Sequence, residues 1–275
     1  MEPGLEAALL ELVKHNGRLV VLTGAGISAE SGIPTFRGPE GYWTVGSVNY
    51  RPEEMATFSM FRREPEAVWQ WYLYRIGLCR AAEPNAGHLA VVELERLLGD
   101  RFLLITQNVD GLHLRAGNTT ARTYQIHGNI ETVRCGADCS PDFFPISPEV
   151  AVKGKDEPIT DTDLNALKCP KCKSFLRPHV LWFDETYNEE YYRFRSSLEA
   201  AQRAQMLITV GTSGATNLPM QMGMTAAQRG ACIVDVNPDD NPFSHMAKRS
   251  GGFFCQGPSG SIMPEIASFL ASASK

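Results

Sequence analysis

Residues 24–38 read GAGISAESGIPTFRG and follow directly on the apolar run Leu19 to Leu22. A short apolar run closing on Gly-x-Gly reads as a buried strand that turns into a helix start. Glycines there let the backbone approach a diphosphate, and Gly24, Gly26 and Ala29 occupy the G-x-G-x-x-G/A positions. A hydride-transfer protein would continue into a helix, a second strand and, roughly 20 residues on, an acidic side chain for the adenine ribose. Here Pro34 interrupts any helix, and the aromatic–basic pair Phe36–Arg37 lies between Pro34 and Gly38. The stretch predicts a sheet that grips a dinucleotide and a chain that leaves the usual path just after the grip.

The rest of the chain fits an α/β fold. Short apolar runs at 19–23, 102–106, 206–210 and 231–236 look like buried parallel strands, and plausible helices at 88–98, 189–204 and 220–228 precede the last three. That alternation predicts a doubly wound, Rossmann-type parallel sheet. Two segments interrupt it. One is rich in aromatics and arginine, with WQWYLYR at 69–75; the other contains paired cysteines and a polar, proline-bearing middle. The predicted organisation is a nucleotide-binding domain from 1–38, 88–128 and 180–275, a helical insertion at 39–87 and a cysteine-bearing insertion at 129–179, the insertions together forming a smaller lobe. A chain of 275 residues has room for both.

The net charge of −5 gives no sign of a nucleic-acid surface. The amino terminus carries acidic residues and reads as an amphipathic helix ending near Asn16-Gly17 rather than as a signal peptide. No stretch approaches the ~20 apolar residues that span a bilayer. A reducing, cytoplasmic setting is the expectation, and in that setting close cysteine pairs point to a metal rather than to disulfides. Cys135-x3-Cys139 and Cys169-x2-Cys172 offer four thiolates from two knuckles, as a closed, structural zinc site requires.

Four polar clusters follow predicted strands, where ligands bind in such sheets. They are 23–38; Thr106-Gln107-Asn108-Val109-Asp110-Gly111-Leu112-His113; Ile126-His127-Gly128-Asn129; and Gly211-Thr212-Ser213 with Asn237 one strand later. Each alone could be ordinary turn chemistry; together they fall where a single nucleotide would lie. A histidine near neutral pKa in such a cluster suits a general base.

With the cysteine pairs and PHVLWFDE (178–185), these motifs resemble the sirtuins, the NAD-dependent protein deacylases. The resemblance implies that NAD is a consumed co-substrate, zinc a structural ion, and acylated lysine on a protein or peptide the partner. It assigns the diphosphate to Gly24, Ala25 and Gly26, with Ser28 and Ala29 in the same motif, and the adenine side to Gly211, Thr212, Ser213 and Asn237. Asn108 and Asp110 would hold the nicotinamide carboxamide, Gln107 its ribose, and Phe36 and Arg37 a mobile cover. His127 would activate the ribose after the acyl oxygen has displaced nicotinamide, giving free lysine and O-acyl-ADP-ribose. Val180, Phe183, Asp184 and Glu185 would meet the substrate peptide. His88 and His113 read as structural.

The same resemblance suggests an acyl pocket. Tyr72 and Arg75 are one helical turn apart, and with Ala56 they are similar to the branch that removes succinyl, malonyl or glutaryl groups. Three departures stand out. The first cysteine pair has three intervening residues where the family usually has two, the loop between Trp43 and Ala56 is several residues longer than in that branch, and Asp184 replaces the glycine that normally precedes the glutamate. NAD hydrolysis, ADP-ribose transfer and an inactive NAD-sensing scaffold remain as alternatives.

Overall fold

A computed structural model describes residues 1–35, 52–155 and 157–273. The expected cover residues Phe36 and Arg37 lie outside the described residues.

Six strands form a parallel sheet: β1 (Leu19–Thr23), β2 (Phe102–Thr106), β3 (Thr123–Gln125), β7 (Met206–Val210), β8 (Cys232–Asn237) and β9 (Phe253–Gln256), in the order β3-β2-β1-β7-β8-β9. β1 pairs in register with both β2 and β7. Its five residues are all buried because side chains alternate between two covered faces. Leu19 and Val21 point into one apolar layer with helices α1 (Pro3–Lys14), α5 (Ala86–Leu98) and α12 (Ser259–Ala273). Val20 and Leu22 point into the other, with α9 (Phe194–Arg203), α10 (Asn217–Gln228) and α11 (Pro242–Arg249).

The helix boundaries differ most from the sequence reading in two places. The expected helix at 189–204 is two, α8 (Glu189–Tyr192) and α9, separated by Arg193 in the left-handed region at φ 53°. The Glu189 carboxylate takes up the backbone N–H groups of Arg195 and Ser196 at 2.7 and 3.0 Å, so it caps a new helix rather than continuing the old one. α10 begins at Asn217, ahead of the expected start, because Pro219 falls in the first turn, where no intrahelical N–H is lost.

The two insertions share one core. α2 (Pro52–Met55), α3 (Phe58–Arg63) and α4 (Pro65–Ala81) pack Met55, Phe61, Trp69 and Leu73 against Ile130, Val133, Leu176 and Trp182. The latter come from, or directly follow, the antiparallel sheet of β5 (Phe143–Pro145), β4 (Gly128–Cys135) and β6 (Leu176–Val180). Two further helices, α6 (Leu112–Ala116) and α7 (Asp161–Ala166), are short. Among the described residues, no helix is long and apolar enough to cross a membrane.

The lobes join where β3 ends and β4 begins. There Gly128 sits at φ 85°, and a Cβ on it would lie 1.9 Å from the His179 carbonyl oxygen. No other residue type fits. A Gly128→Ala substitution is expected to lower stability by about 2–4 kcal/mol through combined clash and backbone strain, read as a shift in urea midpoint at constant m-value.

Candidate active site

A cleft of about 800 Å³ opens at the carboxyl ends of the parallel strands and runs towards the small lobe. In the strand order, β2 lies on one side of β1 and β7 on the other, so the end of β1 is the topological switch point where nucleotides settle. The turn after β1 is a 3₁₀ helix, Ala25–Ser31. It is locked to the turn after β7, with the Gly26 N–H donating to the Gly211 carbonyl at 2.8 Å and the Gly24 N–H to Val210 at 2.9 Å. A Cβ on Gly26 would come within 2.6 Å of the Gly211 Cα, so the motif's second glycine is needed for turn-to-turn contact. Gly24, Ala25, Gly26, Ala29, Gly211, Thr212, Ser213 and Asn237 all line the cleft. Asn237 also donates to the Thr212 carbonyl at 3.0 Å, holding the turn after β7. Uncharged donors and a backbone-lined turn suit a dinucleotide's diphosphate and sugars.

Ser28 lies one layer deeper. Its hydroxyl donates to Asp110 at 2.7 Å, and the Asn108 amide nitrogen donates to it at 3.1 Å and to the Gly24 carbonyl at 3.0 Å. Ser28 therefore braces the polar pair rather than facing the cleft. Asn108 is in the lining. Asp110 faces a separate cavity of about 360 Å³ beside Arg80 and Arg115. Burial raises the Asp110 pKa, partly offset by hydrogen bonds from the Leu112 N–H and Ser28. His88 and His113 stand beneath, with rings 4.8 Å apart. Burial pushes them down to about 4 and about 3, so they are neutral and carry hydrogen bonds. His113 meets Thr23 at 3.0 Å, and Thr23 donates to Thr106 at 2.8 Å.

His127 lines the cleft. Its carbonyl accepts from the Leu181 N–H at 2.9 Å, which ties it to the strand carrying the PHVLWFDE motif. Burial pushes the imidazole down to about 4, against a hydrogen bond with the Gln107 backbone that raises it. Its Nε2 lies 2.7 Å from the Tyr187 hydroxyl. Tyr187 and Thr216, which also line the cleft, were not anticipated from the sequence. Neither belongs to a motif, and only the fold brings them beside His127 and Gln107.

Of the peptide-side residues, Val180 and Phe183 line the cleft, with Phe183 56% exposed. The Asp184 carboxylate turns away. It accepts from the Phe58 and Ser59 N–H groups at 2.6 and 2.9 Å, capping α3, so the glycine-to-aspartate departure does not fill the cleft. Glu185 is in the lining, yet its carboxylate is engaged by Arg177 at 2.7 Å and the Trp182 N–H at 2.9 Å. At the small-lobe end, Ala56 and Tyr72 line the cleft, and the Tyr72 oxygen accepts from Trp182 Nε1 at 2.7 Å. Arg75 is not among the described lining residues; its guanidinium lies 4.7 Å over the Trp71 ring.

The sulfurs of Cys135, Cys139, Cys169 and Cys172 lie within 4.8 Å of one another, with the Cys135–Cys172 and Cys139–Cys169 contacts at 3.5 and 3.6 Å. A tetrahedral zinc with bonds of about 2.3 Å sets edges of about 3.8 Å, so the donor set fits that ion. Asp138, left-handed at φ 48°, turns the three-residue spacer back just before Cys139. Hydrogen bonds from Ser174 pull the Cys172 thiol down to about 6, while those with Cys135 and Cys172 push Cys139 up to about 12. Four crowded thiols cannot all ionise alone, and a dication removes the conflict.

The doubly wound sheet, its switch-point cleft and the four-thiol lobe define a dinucleotide-binding protein with a structural metal module. The Sir2 family model matches residues 24–217, and the chain belongs to that family. A Leptospira interrogans protein named NAD-dependent protein deacylase is 39% identical over 93% of this chain and 95% of its own length. A Caldanaerobacter subterraneus protein named NAD-dependent protein deacylase 1 is 42% identical over 87% and 90%. Among solved structures, a Sir2 homolog–NAD complex matches at TM-score 0.81 and 36% identity, covering 100% of this chain and 96% of its own. A Sir2 homologue mutant complexed with 2'-O-acetyl-ADP-ribose matches at TM-score 0.81 and 36% identity, covering 100% and 98%.

Two outcomes are expected. Metal analysis gives one zinc per chain, and chelation lowers the melting temperature with loss of small-lobe structure, because the thiol cluster anchors β4 to the β6 approach. Asp184→Ala costs about 1 kcal/mol in chemical denaturation through loss of the α3 cap.

Proposed function

We propose that this chain is an NAD-dependent protein-lysine deacylase in which His127 is the general base. One observation carries the reading: His127 and Asn108 share a continuous cleft with the Gly24–Gly26 turn on one side and Val180, Phe183 and Ala56 on the other. A base at that junction can serve a dinucleotide's ribose and an acyl-lysine arriving between the lobes. The relatives' names and the acetyl-ADP-ribose complex of a structural relative support the same reading.

NAD supplies a positively charged nicotinamide that leaves readily once its ribose carbon is attacked. The chain's part is placement and proton transfer. The turns at 24–29 and 211–213, with Asn237, hold the diphosphate and adenine side; Gln107 serves the ribose. Asn108, braced by Ser28 and Asp110, orients the carboxamide. Val180 and Phe183 offer an edge and an exposed ring to the peptide, while Glu185 fixes that edge through Arg177. The Cys135, Cys139, Cys169 and Cys172 zinc holds the lobe and takes no chemical step, because four sulfurs leave no open position. Ala56 and Tyr72 bound an acyl pocket suited to an acetyl group. Removal of succinyl or malonyl groups is a second reading, favoured by Tyr72 in the lining with Arg75 one turn away on α4.

Matched acetyl-, malonyl- and succinyl-lysine peptides incubated with NAD, with peptide mass and nicotinamide followed together, test the reading. Nicotinamide release that ignores peptide would transfer the activity to NAD hydrolysis, and no release at all would leave a scaffold. His127→Ala is expected to lose roughly 10²–10⁴-fold in deacylation. Arg75→Met slows succinyl but not acetyl removal if Arg75 reads a carboxylate. The base is lost as pH falls through its pKa, so burial of His127 places the acid limb of kcat/KM nearer 4 than the ordinary 6.5.

A further inference from the structure

Tyr187 lies in the cleft lining with its oxygen 2.7 Å from His127 Nε2, and the two rings are 5.7 Å apart at 36°. Its placement is built from both sides. The preceding turn is anchored by Glu185 on Arg177, whose guanidinium lies 3.6 Å over the Trp182 ring. The following residue, Asn188, caps α8 by accepting from the Tyr191 N–H at 2.8 Å, and the Tyr187 ring stacks on Phe194 with centroids 6.3 Å apart.

The direction of the His127–Tyr187 hydrogen bond follows from its surroundings. The Gln107 N–H donates to the Thr23 carbonyl at 3.0 Å, so the backbone group left for His127 at Gln107 is the carbonyl, an acceptor. The imidazole therefore carries its proton on the nitrogen facing Gln107, and Nε2 is unprotonated. Tyr187 must donate. The Gln107 side chain is fixed as well: its amide nitrogen donates to Thr23 and Thr212 at 3.2 and 2.9 Å, and its oxygen accepts from the Thr216 hydroxyl at 2.8 Å. Burial holds the phenol above its ordinary pKa, so Tyr187 is a neutral donor.

We propose that Tyr187 completes the general base, holding His127 with Nε2 as acceptor and carrying the ribose proton to it. This rests on the reading of His127 as the base. A substrate ribose hydroxyl donates to the Tyr187 oxygen; Tyr187 passes its own proton to Nε2 and takes the ribose proton. The ribose oxygen becomes the nucleophile, the phenol ends neutral and His127 ends as imidazolium. Tyr187 thus touches substrate on one side and orients the base on the other.

Tyr187→Phe keeps the ring and removes one oxygen. In the full chain with NAD and an acetyl-lysine peptide, deacylation is expected to fall roughly tenfold or more. Exchange of labelled nicotinamide into NAD precedes the base-dependent step, so it persists. Imidazole ¹⁵N spectra of the protein without ligand keep His127 in its neutral tautomer but show the unprotonated Nε2 resonance shifted, because the hydrogen bond it accepts from the phenol is gone. A Tyr187→Phe protein with wild-type deacylation, with an unchanged His127 Nε2 resonance, or with exchange and deacylation lost together overturns the proposal. Faster deacylation overturns it too, since the hydroxyl would then obstruct the base. His127→Ala, run in parallel, separates the two claims. Deacylation retained there removes the base itself, whereas its loss beside a fully active Tyr187→Phe removes only the role of Tyr187.

Discussion

The cleft is referenced to one backbone contact, the approach of the turn after β1 to the turn after β7, where the Gly26 N–H meets the Gly211 carbonyl at 2.8 Å. Neither turn could come so close with a side chain: a Cβ on Gly211 would lie 2.5 Å from the Ile27 nitrogen. Because β1 pairs in register with β2 and β7, that contact also sets the height of Gln107 and Asn108 on one side and Thr212 and Ser213 on the other. This end of the cleft is therefore mostly backbone and small polar groups, held rigid from below.

Beneath it lies a buried polar layer: Thr23, Thr106, His113, Ser28, Asn108 and Asp110. Buried groups of this kind are tolerable only when nearly every donor meets an acceptor, and the low dielectric then stiffens the network. Asn108 gains a fixed orientation from this layer, which a solvent-exposed amide would lack. The second lobe is positioned differently. Its apolar core joins helices α2–α4 to β4 and β6, and the four thiols fasten the far end. The cleft residues Ala56 and Tyr72 belong to this core, so the lobe's packing decides how they face the parallel sheet.

Much of this was legible in the chain itself. Runs of apolar residues at a strand's length, the glycine turn at 24–26, the polar clusters after strands and the paired cysteines each follow from local rules of periodicity, turn geometry and thiol chemistry. Local rules also mark their own limit at Glu189, where the pattern suggested one helix from 189 to 204. The carboxylate instead caps a second helix, a choice made by side-chain reach after the chain has turned.

The sequence by itself determined the fold class, the close glycine turn after β1 and the two cysteine pairs that come together, because those depend on residue type and short spacing. Tertiary structure alone decided which polar residues face the cleft and which stand behind it. Ser28 and Asp110 went behind; Asp184 turned to cap α3 across 126 positions of chain, and Tyr187 came to His127 from 60 positions away. Contacts at such separation leave no periodic trace. They exist only once burial and the pairing of β4 with β6 have fixed where the two segments meet.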